Sequence, residues 1–182
     1  MPCCLVGSEM CIRDSIRTHD IATIGLWGPK AVNALENFID PNDIDIKNFP
    51  FVTAKNLTLN LSGEKKVDVW AARISYVGES GWEIYFNNDK DDGLALYDSL
   101  LEVGVIPVGI ETYANSRRLE KCFRLQGADL ETEYNAIESA IQRPLVKEAD
   151  FHGKFAHLAH RKEDPCAILC TMTLDDLNVS GK

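Results

Sequence analysis

The spacing of apolar positions in the first third of the chain predicts a strand followed by a helix. Residues 21–26 (Ile-Ala-Thr-Ile-Gly-Leu) are typical of a strand, and a Gly-Pro step then ends it, with the proline suited to the first turn of a helix. That helix is predicted to continue to about Ile39, with Val32, Leu35 and Ile39 on one apolar face. A Pro-Asn-Asp turn at 41–43 closes this part.

The middle of the chain predicts three neighbouring strands. Two β-rich runs, 51–61 and 66–77, are joined at a Ser-Gly step, and apolar and polar residues alternate in the second run as in a half-exposed strand. A turn bracketed by two glycines, 78–81, then leads into a third β-rich run, 82–86. The pattern therefore favours a hairpin whose arms flank an acidic, glycine-rich turn.

The last part of the chain again mixes helices and strands. A helix is predicted to start at the acidic residues 89–92 and to end at Gly104. Its predicted buried face comprises Leu94, Tyr97, Leu100 and Leu101. Further elements are predicted as a strand at 105–108, a helix at 153–161 and a strand at 166–174. A helix is also predicted at 111–121, and it is expected to bury few residues because Arg117 and Arg118 are polar. Because strands and helices follow no regular βαβ repetition, the predicted fold class is α+β.

Charge and hydropathy exclude two classes of partner. The 182 residues include 28 acidic and 19 basic side chains, a net charge of −9, whereas nucleic-acid binding depends on lysine and arginine neutralising phosphates. No apolar run approaches the roughly 18 residues that a membrane span requires. We therefore expect no nucleic-acid partner and no membrane segment.

Cysteine usage favours reduced thiols. Three cysteines follow residue 15, and an odd number without a signal peptide is typical of an intracellular protein. The string His157-x2-His160-x5-Cys166-x3-Cys170 has the residue types of a zinc site. Its histidines fall in a predicted helix and its cysteines in a predicted strand, so we expect buried small apolar cysteines and no metal site.

The densest candidate for chemistry is the predicted hairpin. Its two glycines place Tyr76 and Glu83 on opposite arms, so that a phenol and a carboxylate can meet at one pocket. A fixed carboxylate accepts two parallel hydrogen bonds from a flat heterocycle with adjacent N–H donors, and Tyr76 and Tyr85 could stack on such a ring. The alternative is an ordinary hairpin with Trp82 and Tyr85 in the core and its glutamates, Glu79 and Glu83, in solvent.

Four motifs resemble the aminomethyltransferase (glycine cleavage T-protein) superfamily. Residues 76–84, Tyr-x-Gly-Glu-x-Gly-Trp-Glu-Ile, are similar to its folate-binding signature. Residues 26–31 resemble its L-x-G-P-x-A step, 116–121 its S-L-R-L-E segment and 149–154 the D-F-I-G-K start of its C-terminal β-barrel. The order and spacing of the four motifs match the family.

One branch of this superfamily is favoured. Residues 113–124, Tyr-Ala-Asn-Ser-Arg-Arg-Leu-Glu-Lys-Cys-Phe-Arg, resemble the folate-binding C-terminal half of FAD-dependent dimethylglycine and sarcosine dehydrogenases. Residues 132–138 are similar to their T-x-P-L-E segment, although Asn135-Ala136 departs from the usual proline. The alternatives are a stand-alone aminomethyltransferase and a non-enzymatic folate-binding iron–sulphur assembly factor. The latter is disfavoured because its K-G-C-x-x-G-Q-E signature has no counterpart here.

The resemblance implies a role for each matching residue. Tyr76 corresponds to a tyrosine that lines the folate site and Glu83 to the carboxylate that holds the pterin, and Ile84 and Tyr85 are expected to continue that wall. The arginine of the T-protein A-R-D-S segment corresponds to Ala114, so that contact is missing. Arg117 replaces a leucine and is expected to be solvated.

The resemblance also implies that the chain is a fragment. Residues 4–15 back-translate to a sequence that resembles a transposase adapter, so 1–15 are expected to be an artefact. We expect 16–148 to be the C-terminal part of a folate-binding domain and 149–182 the start of a truncated C-terminal β-barrel domain. The family's catalytic aspartate would then lie upstream, which predicts an inactive and poorly folding chain.

The implied cofactor is tetrahydrofolate, with FAD only in a missing N-terminal domain of the same chain. The implied partners are small molecules, namely folate and a methylamine or aminomethyl donor. The implied compartment is the cytoplasm, or the mitochondrial matrix if the source is eukaryotic.

Overall fold

The computed structural model describes residues 19–88, 91–141 and 146–175. They form two compact units, one ending at Lys121 and the other starting at Cys122. The predicted adapter-derived segment, 1–15, lies outside the described residues. The predicted boundary between 148 and 149 stays a prediction.

The first unit is built on one antiparallel sheet of four strands in the order β1-β4-β3-β2. The strands are β1 (Ile21–Trp27), β2 (Ala54–Asn60), β3 (Lys66–Ala72) and β4 (Gly81–Asn87). A 3-10 turn at Ser62–Glu64 joins β2 to β3, and β4 lies between β1 and β3. The sheet with its helices confirms the predicted α+β class and each of the four strands predicted between residues 21 and 86.

Alternation along each strand gives the sheet an apolar and a polar face. Trp82, Ile84 and Phe86 of β4 lie on the apolar face, where they are at most 5% exposed. Facing them in the core are residues of the other strands and of the helices, including Leu26, Leu57, Leu59, Val67, Val69, Leu35, Leu96 and Leu100. The opposite face carries Glu83 and Tyr85, which are half-buried.

Three helices of the first unit lie between or after these strands: α1 (Ala31–Leu35), α2 (Pro41–Ile44) and α3 (Asp92–Glu102). The first ends four residues earlier than predicted, and the predicted turn at 41–43 is a single helical turn. Asp40 caps this turn by accepting a hydrogen bond from the backbone N–H of Asn42 at 2.9 Å, with Pro41 at the first helical position.

The predicted buried face of α3 is confirmed at Leu100 and wrong at its other three positions. Leu96, Ser99 and Leu100 are buried, whereas Leu94, Tyr97 and Leu101 are exposed. The same periodicity fits two faces because apolar residues occur at both sets of positions, and packing on the sheet selects the set that contains Leu96. Gly104 ends this region with φ of +85°.

The segment after α3 departs further from the predictions. Residues 105–108 form no strand, and Ile106 and Val108 are exposed. The helix predicted at 111–121 is a π-helical segment, Thr112–Arg117, followed by α4 (Arg118–Glu120). Arg118 was expected to be polar surface but is buried, and its Nε donates to the carbonyl of Ala114 at 2.6 Å.

The second unit contains one helix, α5 (Lys154–His160), within its described residues, close to the predicted 153–161. The strand predicted at 166–174 is absent from its described residues. Cys166 and Cys170 are exposed, so the expectation that they are buried is wrong, and Cys122 is exposed as well. The backbone N–H of Leu169 in this segment donates to the carbonyl of Glu138 at 2.7 Å, but within the described residues this contact does not extend into a pair of strands.

Asn135, which stands where a proline is expected, caps the turn at 136–140. Asn135 Oδ1 accepts hydrogen bonds from the backbone N–H groups of Ile137 and Glu138, at 2.8 and 3.1 Å. Glu138 Oε2 in turn accepts from the backbone N–H of Asn135 at 3.0 Å. This reciprocal arrangement is a capping box, which stabilises the turn that a proline would otherwise restrict.

Within the described ranges, no helix is long and apolar enough to cross a lipid bilayer.

Arg73 ties the loop after α2 to the sheet. It is 6% exposed, and its Nη1 donates to the carbonyls of Ile44 and Phe49 at 2.9 and 2.8 Å. Its guanidinium lies over the Trp82 ring, 5.0 Å from the centroid. A buried cation is stable here because it satisfies two carbonyls and stacks on an aromatic face.

Replacing Arg73 with methionine should lower the free energy of unfolding of this unit by about 3 kcal/mol, because two buried carbonyls lose their charged donor. Urea denaturation followed by tryptophan fluorescence measures it, since Trp27, Trp70 and Trp82 all belong to the first unit. The control is Arg117→Met, whose exposed side chain should leave the midpoint unchanged. Equal midpoints for the two variants would contradict this role of Arg73.

Candidate functional site

The polar face of the sheet brings together three of the four residues predicted to bind ligand. Glu83 and Tyr85 project from the same face of β4 because they are two residues apart. The prediction that Tyr76 lies on an arm of the hairpin is wrong, because β3 ends at Ala72; Tyr76 lies in the loop before the glycine-rich turn and contacts Tyr113. Ile84 projects to the other face and is 1% exposed in the core, so it does not line the same wall.

The Glu83 carboxylate is held by Tyr85. Tyr85 Oη donates a hydrogen bond to Glu83 Oε2 at 2.5 Å. Burial raises the pKa of Tyr85 to about 12, and the hydrogen bond to Glu83, the charge of Glu83 and Tyr113 add to the shift. The phenol therefore stays protonated and keeps donating to the carboxylate at neutral pH.

An aromatic row lies beside this carboxylate. Tyr113 stacks on Trp27 with ring centroids 5.2 Å apart and planes at 26°. Tyr113 also contacts Tyr76, with ring centroids 5.3 Å apart and ring planes at 50°. Burial raises the pKa of Tyr113, and the charges of Glu83 and Tyr76 raise it further. Trp27, Tyr113 and Tyr76 are called the aromatic row below. The charge of Glu83 acts on the phenol of Tyr113, the middle residue of this row.

Glycine and a backbone carbonyl fix the first ring of this row. Trp27 Nε1 donates to the carbonyl of Ile74 at 2.9 Å. The indole folds back over Gly25, where an added Cβ would lie 2.1 Å from a ring carbon of Trp27. Gly25 is opposite Glu83 in the β1–β4 pairing, so the absence of a side chain leaves space for the indole beside the carboxylate.

The glycine-rich turn sets the close approach of β1 and β4. Gly81 has φ of +149°, and a Cβ there would lie 1.9 Å from the carbonyl oxygen of Leu26. The backbone N–H of Gly28 donates to the carbonyl of Ser80 at 2.8 Å, which joins the turn to the end of β1. Glu79 lies in this turn, and its backbone N–H donates to Ser75 Oγ at 3.1 Å.

A groove continues from Tyr85 along the polar face. The strands β3 and β4 pair only where Trp70–Ala72 lies opposite Glu83–Tyr85. Where the two strands are no longer paired, a cleft of about 470 Å³ opens between Asp68 and Asn87. It includes Tyr85 but not Glu83, and its polar lining comes from Asn56, Thr58, Asp68 and Asn87. Trp70 leans on Tyr85 with ring centroids 5.1 Å apart, at the boundary between this groove and the carboxylate.

Sequence reasoning missed Trp27, Trp70 and Tyr113 as members of this region. Trp70 and Tyr85 are opposite residues in the β3–β4 pairing, which the alternation of the two predicted strands would have placed on one face. Trp27 follows the predicted strand and lies inside the quoted 26–31 motif. Tyr113 begins the quoted 113–124 motif, but its contact with Trp27 depends on the tertiary position of the π-helical segment.

The remaining candidate residues contribute no charge to Glu83. Arg117 is exposed and pairs with Glu120 at 2.8 Å, as expected for a solvated side chain. Ala114 offers only its carbonyl, which accepts from Arg118. Across the described part of the chain, no three His, Cys, Asp or Glu side chains form a group that could hold a metal ion.

Replacing Gly25 with alanine should displace the Trp27 indole from Tyr113, because the new methyl group occupies the position of the ring. The obstacle is the far end of a side chain, so the sheet should persist. We expect an altered near-UV circular dichroism spectrum with little change in the urea midpoint. Gly109→Ala is the matched control, since a Cβ there meets nothing within 4 Å. An unchanged aromatic spectrum in Gly25→Ala would contradict the packing of Trp27.

Comparison with known proteins agrees with the motifs. Residues 12–148 match the family described as the GCVT N-terminal domain. Human mitochondrial dimethylglycine dehydrogenase is 33% identical over 172 residues, which are 90% of this chain and 19% of that protein. The aminomethyltransferase of Geobacillus sp. (strain WCH70) is 31% identical over 82% of this chain and 40% of its own length. The aminomethyltransferase of Bacillus subtilis (strain 168) is 30% identical over 81% of this chain and 40% of its own length.

The chain spans about a fifth of the dimethylglycine dehydrogenase and two fifths of the two aminomethyltransferases. The family match extends over most of its residues and includes β1 to β4, the glycine-rich turn and the aromatic row. The chain therefore belongs to the GCVT N-terminal domain family.

Proposed function

We propose that this chain is the tetrahydrofolate-binding part of an enzyme of one-carbon metabolism. The observation that carries the proposal is the Glu83 carboxylate, oriented by Tyr85 and placed beside an aromatic row on the polar face of the sheet. A pterin is a flat heterocycle with adjacent N–H donors. It matches a site that offers one fixed acceptor pair and aromatic faces.

The residues present fit this group. Glu83 would accept hydrogen bonds from the pterin N–H groups, since no other described residue than Tyr85 donates to its carboxylate. Tyr76 and Tyr113 would contact the ring through their faces, and Trp27 backs Tyr113 by stacking. Bound tetrahydrofolate supplies the nitrogen that accepts a one-carbon unit. The chain itself contributes binding and orientation, and the family's catalytic aspartate would lie upstream.

The favoured enzyme is an FAD-linked dehydrogenase of N-methylglycine type. Support comes from the human dimethylglycine dehydrogenase, which aligns with 90% of this chain, and from the motif at 113–124. In this proposal 16–148 is the C-terminal part of the folate-binding domain, 149–182 starts a β-barrel domain, and an FAD domain precedes both. The small-molecule partners are folate and a methylamine donor.

A stand-alone aminomethyltransferase is the second candidate. Its support is the match to bacterial aminomethyltransferases, which align with 82% and 81% of the chain and share the same family domain. The amine donor would then be an aminomethyl group. The compartment would follow the source, the cytoplasm in a bacterium and the mitochondrial matrix in a eukaryote.

The wild-type chain should bind 5-formyltetrahydrofolate in isothermal titration calorimetry, and Glu83→Gln should weaken binding at least about tenfold because a charged acceptor is lost. Glu79→Gln is the matched control in the adjacent turn, and its affinity should equal that of the wild type. Tryptophan fluorescence checks that each protein is folded. A folded wild type that does not bind, or Glu83→Gln that binds equally well, would contradict the proposal.

The natural gene distinguishes the two candidate enzymes. Sequencing genomic DNA upstream of Ile16, from a library made without transposase adapters, should reveal a long upstream region that begins with a G-x-G-x-x-G strand–helix motif. A reading frame that extends upstream by only about the length of the rest of a folate-binding domain would favour the aminomethyltransferase instead. Native codons for residues 4–15 would contradict the adapter origin of that segment.

A further inference from the structure

We propose that Tyr85 is a positioning residue that acts through Glu83, fixing which carboxylate oxygen is available to the ligand. The inference rests on the proposed function of the site. It concerns a residue for which the family resemblance implies only a place in the wall of the folate pocket.

The geometry assigns the two carboxylate oxygens different tasks. Tyr85 Oη donates to Oε2 at 2.5 Å, and within the described residues nothing donates to Oε1. An ionised carboxylate has about four acceptor positions, so Oε1 and one position on Oε2 remain for a ligand. A glutamate side chain that is half-buried and otherwise unrestrained would populate several rotamers, and holding it in one lowers the entropy lost on binding.

Tyr85 is itself held from its other side. Its ring meets Trp70 at 5.1 Å, and Trp70 is its opposite residue in the β3–β4 pairing, the last pair before the groove opens. The titratable groups that face Glu83 are Tyr85 on its own strand and Tyr113 on the π-helical segment, with Tyr76 next to Tyr113. From β1 and β3 the opposite residues are Gly25 and Ala72, which carry no charge. Tyr85 is therefore the one described group that fixes the carboxylate by a hydrogen bond.

The role predicts a specific pattern in a double-mutant cycle. Tyr85→Phe keeps the ring and its contact with Trp70 but removes the hydroxyl, so binding of 5-formyltetrahydrofolate should weaken about fivefold to tenfold. In the Glu83→Gln background the same change should cost less than about twofold, because the carboxylate that Tyr85 orients is gone. An equal loss in both backgrounds would mean that Tyr85 acts by packing alone, and would overturn the proposal.

A ligand-free measurement separates this inference from the proposed function. Ultraviolet titration of the tyrosines should show one phenol with a pKa near 12 that Tyr85→Phe removes. Glu83→Gln should shift that pKa down towards 10, since the carboxylate charge and acceptor both favour the neutral phenol, whereas Glu79→Gln should not. Far-UV circular dichroism shows over which pH range each protein stays folded.

Each outcome decides one of the two claims. If Glu83→Gln leaves the late-titrating phenol unchanged, the Tyr85–Glu83 contact is absent and the positioning role fails, whatever the chain binds. If the phenol responds as expected but the folded wild-type chain binds no folate, the proposed function fails and the contact is structural only. If the titration and the cycle both behave as expected, Tyr85 is the residue that orients Glu83.

Discussion

The core and the candidate site of the first unit both depend on the antiparallel pairing of β4 with β1 and β3. Because side chains alternate along a strand, the pairing that buries Trp82, Ile84 and Phe86 also places Glu83 and Tyr85 on the opposite, polar face. A register shift by one residue would reverse the two sets and would place a carboxylate in the core. The stability of the sheet and the composition of the candidate site are therefore consequences of one register.

The sequence predicted those features that depend on local pattern. The strands, the glycine-rich turn and the α+β class followed from alternation and from residues with special backbone preferences, and the motif around Glu83 pointed to a carboxylate on a hairpin. The prediction that Ile84 shares a wall with Tyr85 came from adjacency in a motif. Alternation alone argues against it, since neighbouring residues on a strand face opposite ways.

The features that were missed depend on tertiary packing. The apolar residues of α3 fit two faces, and only the sheet selects the one with Leu96. Arg118 was expected to be polar surface, but a nearby carbonyl accepts from it in the interior. Tyr113 joins the aromatic row because a π-helical segment brings it to Trp27, and no short-range pattern encodes that contact. The missing strand at 166–174 has a related cause, since a strand needs a partner as well as a pattern.

The pairing of β1 with β4 also affects the order in which the first unit folds. Ile21 pairs with Asn87, and the segment between β1 and β4 contains α1, α2, β2 and β3, whereas β2 and β3 form a local hairpin. Closing such a long loop costs entropy before any contact repays it, and such topologies fold slowly. The hairpin can form early, but Trp27 and Glu83 meet only when β1 pairs with β4. The candidate site is therefore among the last parts of the unit to assemble, and it is absent from any intermediate in which β1 has not yet docked.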